Sequence, residues 1–120
     1  MTIVAIHHVQ LAMPAGRETD AVAFYSGILG IPQVAKPGPL EKRGGCWFED
    51  DSVRIHIGVE DRFRPARKAH PAFLVDDMSS MRERLWAAGV TIVEDQPLPG
   101  YERFYVDDPF GNRLEFLAEV

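Results

Sequence analysis

The sequence predicts an α+β fold: two tandem βαβββ modules forming a cupped, pseudo-symmetric mixed sheet with helices on the outer face. Three observations predict it. The order strand, helix, strand, loop, hairpin occurs twice. Each helical stretch has a glycine near its end, Gly30 and Gly89, at comparable offsets from the strand before it. The final strands of the two halves match, Ile55-His56-Ile57 against Leu114-Glu115-Phe116. A repeat fixes an architecture before any single motif does. The reading is one domain over 1–120, with module one about 1–60 and module two about 69–120. Either half alone, at about 60 residues, would be marginal.

In module one, Ile3 to Met13 alternates as a strand, with His8 and Gln10 on one face and Val9, Leu11 and Met13 on the other. The same alternation turns His7 away from His8. Arg17 to Ser26 reads as a helix, because Ala21, Phe24, Tyr25 and Ile28 fall on one stripe. Ile31 to Val34 begins a strand, and the Pro/Gly-rich stretch Lys36 to Gly45 reads as a loop. Gly45 to Phe48 and Ser52 to Val59 form a hairpin, with Glu49, Asp50 and Asp51 near its turn.

A charged linker, Glu60 to Ala69, leads into module two. His70 to Val75 is strand-like. Asp77 caps a helix whose face carries Met78, Met81, Leu85 and Ala88. Val90 to Glu94 is a strand and Gln96 to Gly100 a loop. Arg103 to Val106 and Asn112 to Ala118 form the second hairpin.

Aligning the modules places His8 opposite His70 and His56 opposite Glu115. All four are side-chain types that bind divalent metals. Their strand neighbours are mostly apolar, so alternation buries those rows under the helices and leaves the four candidates on the concave face. Each has an ordinary reading as a hydrogen-bonded or solvated strand residue. The repeat is what argues against that reading for all four together.

The bulk composition narrows the function further. Formal net charge is −5, against a nucleic-acid footprint. A single cysteine, Cys46, excludes an intrachain disulfide and fits a reducing cytoplasm. Cys46 has no evident local base or clustered cations, so it does not read as a nucleophile. Met1 to His8 lacks the basic region and apolar run of a signal peptide, and no apolar run reaches the roughly 20 residues of a membrane span. A cytoplasmic protein is expected, with a small-molecule substrate and no nucleic-acid or membrane partner.

The segments His8-Val9-Gln10-Leu11, Phe24 to Gly30, His70-Pro71-Ala72-Phe73 and Asp107 to Phe116 resemble the glyoxalase/bleomycin-resistance/dioxygenase group, the vicinal oxygen chelate superfamily. The resemblance implies metal ligation by His8, His70 and Glu115, with His56 in the fourth position. It also implies one divalent ion per site (Ni, Co, Mn, Zn or Fe), Glu115 as a candidate catalytic base, and a homodimer. Bacterial glyoxalase I commonly has glutamate where this chain has His56, which separates it from that enzyme. The expected activity is polarisation of vicinal substrate oxygens by the ion, in a lyase, isomerase or related reaction. Metal-free antibiotic sequestration, an Fe(II) extradiol-type dioxygenase and fosfomycin inactivation stay open. Gln10, Glu102 and Tyr105 are further polar candidates. Arg62, Arg64, Arg67 and Lys68 make the linker locally basic. Trp47, Phe48, Tyr101 and Phe104 line a pocket or fill the hairpin core.

Overall fold

In the computed structural model, residues 2–120 are described. Met1, where the leader reading and module one begin, lies outside them. The chain divides into two compact units, Met1–Arg64 and Pro65–Val120, with the boundary inside the predicted linker.

The first unit runs β1 (Val9–Met13), α1 (Glu18–Ala21), a π-helical segment (Val22–Ile28), β2 (Gln33–Val34), a 3-10 helix (Gly38–Arg43), β3 (Cys46–Glu49) and β4 (Arg54–Val59). The second runs β5 (Ala72–Leu74), α2 (Met78–Ala87), β6 (Val93–Glu94), β7 (Tyr101–Asp107) and β8 (Arg113–Glu119). Each unit holds one four-stranded mixed sheet, and the strand orders correspond: β1-β4-β3-β2 and β5-β8-β7-β6. In both sheets the first pair is parallel and the other two are antiparallel. This is the tandem βαβββ, α+β organisation that the sequence predicts.

The registers fix the repeat residue by residue. Gln10 stands opposite His56, and Ala72 opposite Glu115. His8 precedes Gln10 by two positions and His70 precedes Ala72 by two. On the hairpin side, Trp47 faces His56 as Tyr105 faces Glu115.

Alternation builds each core. Leu11, Met13, Cys46, Phe48, Ile55 and Ile57 are buried in unit one, and the Tyr25 and Phe48 rings stack at 5.4 Å. In unit two, Phe104, Val106, Leu114 and Phe116 are buried, and Phe116 stacks on Phe104 at 5.4 Å. Asp77 caps α2 by accepting from the Ser80 N–H at 2.9 Å. Gly30 and Gly89 have φ of 81° and 76°, the left-handed conformation that lets a helix end without a Cβ penalty.

Four predicted elements differ, one being the Lys36 to Gly45 loop, which holds the 3-10 helix Gly38–Arg43. The first strand begins at Val9, not Ile3, because its ladder with β4 starts at Val9 opposite Ile55. Ile3, Val4 and Ile6 are exposed. The first helix opens into a π turn, with the Leu29 N–H bonded to the Phe24 carbonyl. That wider turn delays the buried stripe by one residue, so Leu29 is buried where period 3.6 predicts Ile28. In α2, Met78, Met81 and Leu85 are buried, but Ala88 is the C-cap and is exposed, since the helix ends before its face completes another turn.

Candidate metal-ligand pairs and their surroundings

The four predicted ligands form one pair in each unit. In unit two, β8 presents Glu115 from a buried position, while His70 sits just before β5. His70 Nε2 lies 2.9 Å from Glu115 Oε1, and its Nδ1 lies 2.9 Å from the Lys68 carbonyl. A carbonyl only accepts, so Nδ1 carries a proton and donates. Neutral His70 therefore turns an Nε2 lone pair toward a carboxylate oxygen. Two acceptors at that distance require a proton or a cation between them. The spacing also suits a shared ion. Donors about 2.1 Å from an ion on adjacent octahedral positions are about 3.0 Å apart. The Lys68 carbonyl fixes the tautomer in the way outer partners of ligating histidines commonly do.

Glu115 has company that the hairpin supplies. Arg103 donates through its guanidinium to the Tyr105 hydroxyl at 2.9 Å and approaches Glu115 Oε2 at 3.4 Å. Arg113 lies over the Tyr105 ring, 3.8 Å from its centroid. Arg103, Tyr105, Arg113 and Glu115 share this face because register pairs Tyr105 with Glu115, and alternation carries the rest.

In unit one the contact between the predicted ligands is of another kind. The His8 and His56 rings stack face to face, with centroids 4.3 Å apart and planes 20° apart. Trp47 stacks on His56, at 3.9 Å and 2°. His56 Nε2 lies 2.7 Å from Glu49 Oε2. Sequence reasoning missed Glu49, which it left in the hairpin turn. The signal was available: Trp47 and Glu49 alternate out of the buried Cys46/Phe48 row, onto the face that His56 shares. His7 also needs correction. It lies beside His8, with their Nδ1 atoms 3.0 Å apart, because both precede the ladder and strand alternation does not reach them.

The other candidates separate cleanly. Tyr105 joins the Glu115 neighbourhood, its ring edge-on to His70. Glu102 instead pairs with Arg82 on the surface, and Gln10 lies against Gly58. Phe48 and Phe104 are core. Cys46 is buried, and its thiol is pushed up first by burial and then by Glu18, which disfavours the thiolate. Among the described residues, no group of three or more His, Cys, Asp or Glu side chains gathers so that it could hold a metal ion, and no helix is long and apolar enough to cross a membrane.

The Asp107–Phe116 motif has a structural explanation. Asp108 Oδ1 accepts from the backbone N–H groups of Phe110 and Asn112, and its Oδ2 accepts from the Asn112 amide, all at 2.9 Å. Asn112 in turn accepts from the Ala66 N–H at 3.0 Å. The turn is thus tied to the linker and delivers β8 with Glu115 in register.

Two like sheets, each with a pair of metal-binding side-chain types at repeat-related positions, define a tandem-module, glyoxalase-like protein. The chain belongs to the Glyoxalase/Bleomycin resistance protein/Dioxygenase superfamily, whose family profile matches residues 5–116. Among solved structures, it is similar to a glyoxalase family protein from Bacillus anthracis, with 46% identity, 100% of this chain and 98% of that one covered, and a TM-score of 0.96. It is also similar to the oxidase ChaP-H2, at 26% identity, 100% and 96% coverage and a TM-score of 0.76. The fosfomycin resistance protein FosX from Listeria monocytogenes shares the fold, at 20% identity, 99% and 96% coverage and a TM-score of 0.76. No curated protein matches at a significant level.

Proposed function

We propose that this protein is a metal-dependent enzyme that binds one divalent ion and acts on neighbouring oxygens of a small-molecule substrate. The proposed ligands are His8, His70 and Glu115, with His56 as the fourth candidate from the repeat. The observation that carries the reading is the His70–Glu115 pair: Nε2 lies 2.9 Å from a carboxylate oxygen, a spacing that one shared ion can bridge in place of a proton, with Nδ1 held on the Lys68 carbonyl. When bound, the ion supplies Lewis-acid polarisation of substrate oxygens. The chain's own part is to aim His70 through the Lys68 carbonyl and to flank Glu115 with Arg103 and Tyr105. The two arginines on this face, Arg103 and Arg113, favour an oxygen-rich substrate carrying negative charge. Glu115 is also the proposed base, a role that activity of the Glu115→Gln variant tests.

The proposed assembly is a homodimer. β1 and β5 lie at the edges of their sheets, and native proteins cover or pair such edges. Light scattering on the purified protein tests this, and a strict monomer removes it.

The deciding experiment is metal uptake. Protein purified without a polyhistidine tag is titrated calorimetrically with Ni, Co, Mn, Zn and Fe(II). The expected result is about one ion per site for at least one metal. No uptake of any of them by folded protein removes the enzyme reading and favours metal-free sequestration. Selective use of Fe(II) with oxygen consumption favours the dioxygenase chemistry instead.

A further inference from the structure

We infer that His56 stands outside the metal-ligand set, and that Glu49 holds it as a hydrogen-bond acceptor for a substrate hydroxyl. The inference rests on the metal-site reading above and assigns one of its residues a different task.

The first argument is geometric. An imidazole lone pair lies in the plane of its ring. Two rings whose planes are only 20° apart, stacked at 4.3 Å, aim their lone pairs along nearly parallel sheets. Such directions do not converge within the roughly 2.0–2.1 Å of a metal–nitrogen bond. His8 and His56 therefore cannot both ligate one ion while they stack. Trp47 also stacks on His56, at 3.9 Å and 2°, so the ring is held by two stacking neighbours. His8, exposed and ahead of its strand, is the ring that is open to reorient.

The second argument is the hydrogen bond. Glu49 Oε2 lies 2.7 Å from His56 Nε2. A carboxylate accepts, so Nε2 carries the proton and the lone pair of neutral His56 is on Nδ1. His56 is only 4% exposed. Among the described residues no buried side-chain nitrogen or oxygen lacks a partner, and Glu49 is the hydrogen-bond partner His56 has. Nδ1 is therefore not a fully buried atom left without a partner. An aimed acceptor in an otherwise buried ring is suited to a hydroxyl donor.

The repeat supplies the contrast. Glu115 occupies the slot that corresponds to His56, but it meets His70 atom to atom at 2.9 Å, where an ion can take the place of a proton. His56 meets His8 ring face to ring face, where no ion fits.

Two measurements test this. In metal-free wild-type protein, nitrogen-15 spectra of the four histidines report each tautomer. His56 is expected in the Nε2–H form, and Glu49→Ala is expected to erase that preference. A wild-type His56 in the Nδ1–H form overturns the inference, and so does a preference unchanged in Glu49→Ala. Calorimetry with Zn2+ or Ni2+ then compares variants. His8→Gln should weaken metal binding by at least about 10-fold, the lower end of what disturbing a metal site costs, and His56→Gln by less. Equal losses in the two variants overturn the inference. If wild-type protein takes up no metal, the function reading fails on its own, while the tautomer measurement still decides the role of Glu49.

Discussion

The two modules share strand order and register, yet they present their paired candidates differently. In module two a carboxylate and an imidazole meet through donor atoms, and Arg103 approaches the carboxylate. In module one two imidazoles meet through their faces, and one of them, His56, also stacks with Trp47 and bonds Glu49. A repeat therefore conserves where a side chain starts, not what its functional atoms face. A single substitution type at the slot, Glu115 against His56, changes the chemistry available: a carboxylate has no ring to stack, so it meets its neighbour through oxygen.

The largest effect that would break this comparison is expected at Glu115. Glu115→Gln keeps the shape but removes the anion, so metal affinity should fall by about 100-fold, measured calorimetrically. Circular dichroism should show the fold intact. Affinity within a few-fold of wild type would mean that module two does not hold the ion.

The hairpin turns come next. Asp108 satisfies two buried backbone N–H groups, whereas its counterpart Asp50 is exposed and accepts from the Asp51 N–H. Asp108→Ala should cost about 1–3 kcal/mol in denaturant unfolding, the penalty for buried donors left unmet. Asp50→Ala should stay within about 0.5 kcal/mol, as exposed surface changes do. Similar losses would show that the two turns are equally structural.

A smaller difference separates the hairpin cores. Cys46 and Phe104 occupy equivalent register positions, opposite Ile57 and Phe116. The folded-state thiol is raised by burial first, then by Glu18. A raised folded value means that the contribution is present below the unfolded thiol's range and is lost as pH rises through the folded value. Melting temperature should therefore fall in strong alkali, and Cys46→Ala should flatten that fall. Native protein should also react slowly with a thiol reagent at neutral pH. Rapid labelling would contradict the burial.

The smallest effect is expected at the outer face of module two, where Arg82 spans α2, β6 and β7 through Glu94 and Glu102. The hydrogen bond from Arg82 is the main reason the Glu94 carboxyl is held below its usual range. Its contribution is thus present above the ordinary carboxylate range and lost as pH falls through the folded value. Both carboxylates are exposed and Arg82 is half-buried, so screening keeps the effect small. Arg82→Met should lower the melting temperature slightly at neutral pH and hardly at all in acid.

Much of this was legible in the sequence because it depends on local period. Alternation around His56 and Glu115 gives the buried rows, Asp77 and Gly89 bracket α2, and the repeat aligns His8 with His70. The π turn at Val22–Ile28 was not legible, because its extra residue per turn leaves composition unchanged while shifting Ile28 and Leu29. Nor was the strand start, because alternation in Ile3 to His8 continues past the point where β4 supplies a partner. What the chain alone determined is which side chains can reach a common face. What only the tertiary structure decided is how they meet there: Glu49 on His56, Trp47 and His8 stacked on its ring, Arg103 beside Glu115. Those contacts depend on side-chain torsions and on packing across neighbouring strands, and neither leaves a period in the sequence.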